Sequence, residues 1–244
     1  MTCKDKVAIV TGAAGKGMGR SIALTLAREG AKVVVNYRTS EQSAQRVAEH
    51  IKSRGGDAMT TQGDVFRADD CRRLVDAAIE RYGNVDICVI GPGAGWHPEP
   101  AAKIDGVAAL EDAHNELAPI YHLMPLVLPS MYGRKYGRLI GLSLNRPFDS
   151  PAYAYNVAKA ARTYALLQAR DQAFQHGVTV NIIAPGPVSA IEQFSQAVEL
   201  CDHGSAWVDR NNTTPQDIAE GVGFLCSEAG SFISGCEVPY RWQP

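Results

Sequence analysis

The chain of 244 residues is long enough for one large α/β domain, and 45% hydrophobic and 20% charged residues are typical of a globular protein with a full core. Its 24 basic and 26 acidic residues give a formal net charge of −2, which argues against a nucleic-acid partner. The six cysteines include no C-x-x-C pair, which disfavours a metal site or disulfide scaffold and indicates reduced thiols in the cytoplasm. The uncharged stretch at residues 117–133 contains three prolines and makes a poor membrane span.

Apolar runs typical of buried strands alternate with stretches typical of helices along the chain. The predicted strands are residues 7–10, 32–36, 58–62, 86–90, 138–142 and 178–184. The predicted helices are residues 21–28, 40–54, 69–82, 106–132, 152–175, 190–200 and 215–227. This alternation predicts a doubly wound parallel sheet with helices on both faces, and because no linker interrupts it, a single domain over residues 1–244. Ligands bind such sheets beyond the carboxyl ends of the strands.

A glycine-rich segment, residues 11–19, lies between the first predicted strand and the first predicted helix. Glycines let the backbone approach a pyrophosphate closely, and the helix N-terminus supplies N–H groups. The segment predicts a dinucleotide site, with a tight turn as the alternative. The predicted contacts are Gly12, Lys16, Gly17, Met18 and Gly19.

The end of the second predicted strand indicates which dinucleotide is bound. Asn36 is neutral where NAD-binding folds often place an acid on the ribose hydroxyl. Arg38 follows two residues later, and together with Lys16 it can face a 2′-phosphate. These cations favour NADP over NAD. The alternative interpretation is that both are solvated surface charges.

Tyr155 and Lys159 lie four residues apart on a predicted helix and so share one face. A nearby ammonium stabilises a phenolate and lowers the pKa of the phenol, which allows it to exchange a proton with a carbonyl or hydroxyl oxygen. A surface pair is the alternative reading of the spacing. Tyr153 has no such partner, because Val157 lies four residues on.

In these motifs the chain resembles the short-chain dehydrogenases/reductases, most of all their 3-oxoacyl-carrier-protein-reductase-like branch, over nearly its whole length. The motifs in family order are Thr11-Gly12 with Gly17 and Gly19, Asp64-Val65, Asn115, Tyr155-x-x-x-Lys159 and Asn181-x-x-Ala184-Pro185-Gly186. The resemblance implies a Rossmann fold, a homo-oligomer (tetramer or dimer) and a substrate lid over residues 188–212. It also implies a small carbonyl or alcohol substrate.

The resemblance also implies residue roles. Tyr155 is the general acid/base, and Lys159 lowers its pKa and binds the nicotinamide ribose. Asn115 holds a water behind Lys159, which fits Pro119, since a proline leaves the Asn115 carbonyl without its helical donor. The remaining implied contacts are Asp64 and Val65 with the adenine, and Pro185, Gly186 and Val188 with the nicotinamide.

Three departures from the family pattern stand out. The glycine loop is one residue longer than usual, and the Asn-Asn-Ala-Gly after the fourth strand is replaced by residues 90–97, where Gly93 is kept as a backbone contact. The substrate-orienting serine is ambiguous, because counting from the two sides gives Leu144 or Leu142. Ser143 lies between them and is taken as this residue.

The leading hypothesis is an NADP-dependent oxidoreductase that transfers a hydride between nicotinamide and a ketone or secondary alcohol. The alternative is a dinucleotide-binding protein with little or no redox turnover, favoured by the departures; a lyase or dehalogenase is disfavoured by Lys159. Side chains that lie near the expected cleft or lid are interpreted as possible substrate contacts. These are Trp96, His97, Phe194 and Trp207.

Overall fold

The computed structural model describes residues 1–144, 151–204 and 213–240, and its centre is a seven-stranded sheet. The strands are β1 (Val7–Val10), β2 (Lys32–Tyr37), β3 (Ala58–Gln62), β4 (Ile87–Ile90), β5 (Gly137–Leu142), β6 (Val178–Pro185) and β7 (Glu237–Tyr240). Their order is β3-β2-β1-β4-β5-β6-β7, and every adjacent pair is parallel. The doubly wound fold predicted from the sequence is confirmed.

Eight α-helices in the described part of the chain cover the two faces of the sheet. They are α1 (Met18–Arg28), α2 (Glu41–Ser53), α3 (Ala68–Tyr82), α4 (Gly106–Arg134), α5 (Tyr153–Leu167), α6 (Arg170–Gln175), α7 (Phe194–His203) and α8 (Pro215–Cys226). No described helix combines the length and the apolar character needed to cross a membrane.

Each central strand contributes to two hydrophobic cores, because alternate residues of a strand point to opposite faces. In β1, Ala8 and Val10 pack in the core formed with α1, α2 and α8, whereas Ile9 packs in the core formed with α3, α4 and α5. Burial on both faces explains why the predicted strands are nearly continuous apolar runs rather than alternating ones.

The strand order reverses at β1, which pairs with β2 on one side and with β4 on the other. Residues that follow β1 and β4 therefore meet at one edge of the sheet. The Gly91 amide donates to Thr11 Oγ1 at 2.9 Å, and the Thr11 hydroxyl donates to the Val89 carbonyl at 2.9 Å. These bonds fix the floor of the crevice where a doubly wound sheet binds its ligand.

The observed elements differ from the predicted ones in α5 and α6 and in β7. The predicted helix 152–175 is divided into α5 and α6, because the Ala169 amide bonds to Leu166 O at 3.1 Å in a tight turn instead of continuing the helix. Strand β7 was not predicted. It lies at the sheet edge and contains Pro239, which weakens the strand signal and is tolerated only at an edge.

Candidate active site

The segment between β1 and α1 presents an uncapped helix N-terminus to the crevice. The N-cap residue of α1, Gly17, supplies no side-chain hydrogen bond to the first turn. A helix N-terminus carries partial positive charge and binds anions such as phosphate. A Cβ on Gly15 or Gly17 would meet nothing within 4 Å, so this side of the loop is open. The loop therefore fits the pyrophosphate of a dinucleotide.

Two further glycines fix the shape of this loop. Gly12 adopts a left-handed φ of 64°, and a Cβ there would lie 2.9 Å from Pro92 Cγ. A Cβ on Gly19 would lie 2.4 Å from the Gly12 carbonyl oxygen. Asn36 braces the loop, because its Oδ1 accepts from the Gly12 amide at 3.2 Å and its Nδ2 donates to Gly63 O at 3.0 Å. Asn36 therefore shapes the loop from below.

A cavity of about 460 Å³ extends from the glycine loop across the carboxyl ends of β2, β3 and β4. It brings together residues predicted separately from the sequence: Gly12, Arg38, Asp64, Val65, Gly93 and Asn115. The Arg38 side chain is exposed, and Val65 is buried beneath the cavity. The size and the polar lining fit the adenosine end of a dinucleotide, with the Arg38 guanidinium placed at its edge.

Lys16 forms an exposed ion pair and is not among the described residues that line this cavity. Its ammonium contacts the Glu192 carboxylate, and its carbonyl accepts from the Ile191 amide at 3.2 Å. The Arg20 guanidinium donates to the Ile191 carbonyl, so the segment before α7 is docked on the glycine loop. Of the two cations expected to select NADP, only Arg38 is among the described residues that line the cavity.

Tyr155 and Lys159 lie on the buried face of α5, as their spacing predicts. Tyr155 is 9% exposed and Lys159 is 8% exposed. The Lys159 ammonium lies 5.3 Å from the centre of the Tyr155 ring. The two groups are thus close enough for the charge of one to influence the proton of the other.

A carboxylate that the sequence analysis did not single out holds Lys159 in place. Glu116 Oε1 lies 2.8 Å from Lys159 Nζ and accepts from the Ala94 amide at 2.7 Å, and Glu116 Oε2 lies 3.1 Å from Arg162 Nη1. The side chains of Glu116 and Arg162 are fully buried. Arg162 lies seven residues after Tyr155, on the same helical face, and this spacing was the available signal.

The structure places Glu116, not Asn115, against Lys159. One residue along an α-helix is a rotation of about 100°, so neighbouring side chains face different surroundings. Asn115 is partly exposed and lines the cavity instead. The group beside Lys159 is therefore a carboxylate, and the role of the Asn115 carbonyl in holding a water stays a prediction.

The Ser143 hydroxyl contacts two residues of α5. It donates to the Lys159 carbonyl at 3.2 Å and lies 2.6 Å from Thr163 Oγ1. The residue is 6% exposed. These bonds connect β5 to α5, and the role of Ser143 as the substrate-orienting serine stays a prediction.

The electrostatic surroundings of Tyr155 oppose its ionisation. Burial, followed by the carboxylate of Glu116, raises the pKa of the Tyr155 hydroxyl to about 12, while Arg162 acts in the opposite direction. Burial also lowers the pKa of Lys159, and Glu116 counteracts this. These causes do not include Lys159, and its expected lowering of the pKa of Tyr155 stays a prediction. The site holds a protonated phenol.

A histidine lies close to a carboxylate at the mouth of the crevice. His97 Nε2 lies 3.2 Å from Asp112 Oδ2, and burial raises the pKa of the Asp112 carboxyl. Asp112 lines the cavity and lies one helical turn before Glu116. Trp96 is 61% exposed. His97 is therefore tied to α4 at the rim.

The residues expected at the nicotinamide follow β6. Pro185 ends the strand, the Gly186 amide donates to Tyr240 O at 3.1 Å, and Val188 pairs with Thr213 in an isolated bridge. The predicted lid includes residues 205–212, which lie outside the described part of the chain, as does Trp207.

Comparison with known proteins finds a matching family model and similar reductases. The family model described as short chain dehydrogenase matches residues 6–197. A 3-oxoacyl-(acyl-carrier-protein) reductase of Staphylococcus epidermidis is 30% identical over 241 residues, which cover 95% of this chain and 95% of that protein. Versicolorin reductase of Emericella nidulans is 34% identical, and the match covers 94% of this chain and 92% of that protein.

Solved structures agree in fold. A hydroxysteroid dehydrogenase from Escherichia coli has a TM-score of 0.81 and 28% identity, and the match covers 98% of this chain and 96% of that one. A 7α-hydroxysteroid dehydrogenase in complex with NADH and 7-oxo glycochenodeoxycholic acid has a TM-score of 0.82 and 27% identity, over 98% and 93% of the two chains.

Proposed function

Because the chain belongs to the short chain dehydrogenase family, whose members are oxidoreductases that use NAD or NADP, we propose that it is a reductase that uses NADPH to convert a ketone to a secondary alcohol. Relatives named as 3-oxoacyl-(acyl-carrier-protein) reductases support a 3-oxoacyl-like ketone as the substrate class. The homo-oligomer and the cytoplasmic location expected from the sequence stay predictions.

The observation that carries the proposal is the buried Tyr155–Lys159 pair beside a crevice shaped for a dinucleotide. A reduced nicotinamide dinucleotide supplies the hydride for the carbonyl carbon when it is bound. Tyr155 Oη donates its proton to the carbonyl oxygen, so that a neutral alcohol is formed. The Lys159 ammonium then stabilises the transient phenolate until a proton returns from solvent.

The protonation state of Tyr155 at neutral pH suits a proton donor. A phenol with a pKa of about 12 is almost fully protonated at neutral pH, which is the state that a proton donor requires. Oxidation of an alcohol requires the phenolate and therefore a higher pH. Tyr155 is therefore in the state required of the proton donor in the proposed reduction.

The exposed Arg38 guanidinium at the adenosine end supports NADPH as the cofactor. Arg38 lines the cavity, and Asn36, which is uncharged, occupies the end of β2. A guanidinium forms charge-assisted hydrogen bonds with a 2′-phosphate, whereas NAD presents only a hydroxyl there. The charge at this edge of the cavity therefore favours the phosphorylated dinucleotide.

The test is a turnover assay with NADPH and a panel of ketones that includes a 3-oxoacyl thioester, followed through the nicotinamide absorbance. Tyr155→Phe is expected to reduce kcat by about 100- to 10,000-fold, because it removes the general acid. Tyr153→Phe is the matched control, since Tyr153 is 48% exposed on the first turn of the same helix. It should retain native turnover.

A non-redox dinucleotide-binding protein is the second candidate, and the Ser143 contacts favour it, because they leave no serine hydroxyl assigned to the substrate. Under this hypothesis the protein binds NADPH but oxidises it with no ketone of the panel. A Tyr155→Phe variant as active as the native protein would overturn the proposed role of the phenol.

A further inference from the structure

Two fully buried charged side chains, Glu116 and Arg162, have no part in the proton transfer described above. They lie between α4, α5 and the segment that follows β4, and both side chains have no exposed surface. Burial of an ion is costly unless a partner and hydrogen bonds compensate for it, so such pairs require an explanation. Lys159 adjoins this pair, because its ammonium lies 2.8 Å from the Glu116 carboxylate.

The Arg162 guanidinium is anchored to the backbone. Nη2 donates to the Ile90 carbonyl at 2.7 Å, and Nη1 donates to the Pro92 carbonyl at 2.8 Å. The guanidinium also donates to the carbonyls of Gly91 and Glu116 and to the Glu116 carboxylate. Carbonyl groups at the end of a buried strand do not move readily, and the position of the positive charge is therefore fixed by the fold.

The Glu116 carboxylate is also fixed in position by its contacts. Its Oε1 accepts from Lys159 and from the Ala94 amide, and its Oε2 accepts from Arg162. A Cβ on Gly93 would lie 2.4 Å from both carboxylate oxygens, so the backbone encloses the group closely. Glu116 is the only connection between the two cations that these contacts show.

The charges that face Tyr155 come from two helices. Glu116 and Asp112 approach from α4 and favour the protonated phenol, whereas Arg162 approaches from α5 and favours the phenolate. Lys159 is also on α5, with its ammonium 5.3 Å from the ring, and His97 at the crevice mouth pairs with Asp112. Glu116 and Arg162 thus act on the same phenol with opposite sign.

We propose that Glu116 and Arg162 are a pair of positioning residues that fix the Lys159 ammonium and set the charge experienced by the Tyr155 hydroxyl. The role in catalysis rests on the proposed function, in which Tyr155 is the proton donor. The pair touches neither the substrate nor the cofactor, and it acts through Lys159 and Tyr155. It adjusts the pH range in which the phenol can donate its proton.

Removing each charge separately is expected to shift the ionisation of Tyr155 in opposite directions. Glu116→Gln leaves two cations near the phenol and should lower the pH at which Tyr155 ionises by about one unit. Arg162→Met removes a positive charge that partly compensates the Glu116 carboxylate, so it should raise this pH. A purely structural role would change the stability of both variants but would not give shifts of opposite sign.

Ionisation is measured as tyrosinate absorbance after a rapid pH jump, as the difference between each variant and the same variant that also carries Tyr155→Phe. This measurement needs no substrate, so it remains informative if no ketone is reduced. The alkaline limb of the pH–kcat profile is measured in parallel. Glu80→Gln and Arg72→Met, exposed on α3, are the matched controls and should show no shift.

The double variant Glu116→Gln/Arg162→Met guards against misfolding, because it leaves neither member of the pair unpaired. It should titrate at a lower pH than Arg162→Met alone, since only the carboxylate differs between the two. Glu116→Asp should restore part of the native pH profile. Equal ionisation of Tyr155 in the native protein, the single variants and the double variant would overturn the proposal.

Discussion

The two ends of the crevice are built on different principles. At the adenosine end, backbone geometry and small residues define the site: Gly12 in a left-handed conformation, Gly15 and Gly17 facing open space, and Arg38 at the rim. At the catalytic end, side chains define it, because Glu116 connects groups from α5 and from the segment after β4.

This difference determines how each end tolerates change. The adenosine end depends on the absence of side chains, and its one exposed charge is accessible and replaceable. The catalytic end depends on three buried charges that compensate each other, so the loss of one leaves an unpaired ion in the protein interior. We therefore expect the largest effects from changes at the catalytic end.

Gly93→Ala is expected to have the largest effect, because its new Cβ would lie 2.4 Å from both oxygens of the Glu116 carboxylate. The carboxylate cannot move away without losing Lys159, Arg162 or the Ala94 amide. We expect a loss of about 1–3 kcal/mol in the free energy of unfolding, as for other overpacked sites, and a large loss of kcat. Denaturant unfolding and turnover with NADPH measure the two effects.

Gly95→Ala is the matched control for this substitution. Gly95 lines the same cavity two residues later, but a Cβ there would meet nothing within 4 Å. Its stability and turnover should stay close to native. Similar losses in both variants would show that the loop itself, rather than the contact with Glu116, is sensitive to substitution.

The adenosine end could be predicted well from the sequence, because its signals are local. Gly12 and Gly19 are required by their own backbone surroundings, and the strand before them is short and apolar. Arg38 follows β2 directly, so its place at the sheet edge is fixed by the strand. Lys16 was less predictable, since its partner Glu192 is distant in sequence.

The catalytic end could be predicted only in part, because its contacts join distant segments. The Tyr155–Lys159 spacing is local and was confirmed on the buried face of α5. The contact of Glu116 with Lys159 joins α4 to α5 and has no local signal in the sequence. The direction of the Ser143 hydroxyl likewise depends on Thr163, which lies on another element.

Arg38→Asp tests the adenosine end and is expected to have an intermediate effect. It replaces a cation with an anion at the edge of the cavity, where the 2′-phosphate of NADP would lie under the proposed function. We expect the NADPH affinity to decrease by about 10- to 100-fold, because a charge-assisted hydrogen bond is lost. The affinity for NADH should change less. Titration of both dinucleotides measures the ratio.

Arg67→Asp is a suitable control for the change in net charge, since Arg67 is exposed at the N-cap of α3 and is not among the described residues that line the cavity. It should leave the ratio of NADPH to NADH affinity unchanged. An unchanged ratio in Arg38→Asp as well would show that the adenosine end does not select the phosphate through this guanidinium.

Ser143→Ala is expected to have the smallest effect on the reaction and a modest one on stability. The Ser143 hydroxyl bonds to the Lys159 carbonyl and to the Thr163 hydroxyl, so its loss should cost about 1 kcal/mol of unfolding free energy. Thr163→Val removes the other partner and should cost a similar amount, with a double variant that is less than additive. A substrate-orienting hydroxyl would instead lower kcat by about 100-fold or more. A native kcat in Ser143→Ala would indicate that this serine only stabilises the position of α5. A 100-fold loss of kcat would indicate that its hydroxyl orients the substrate.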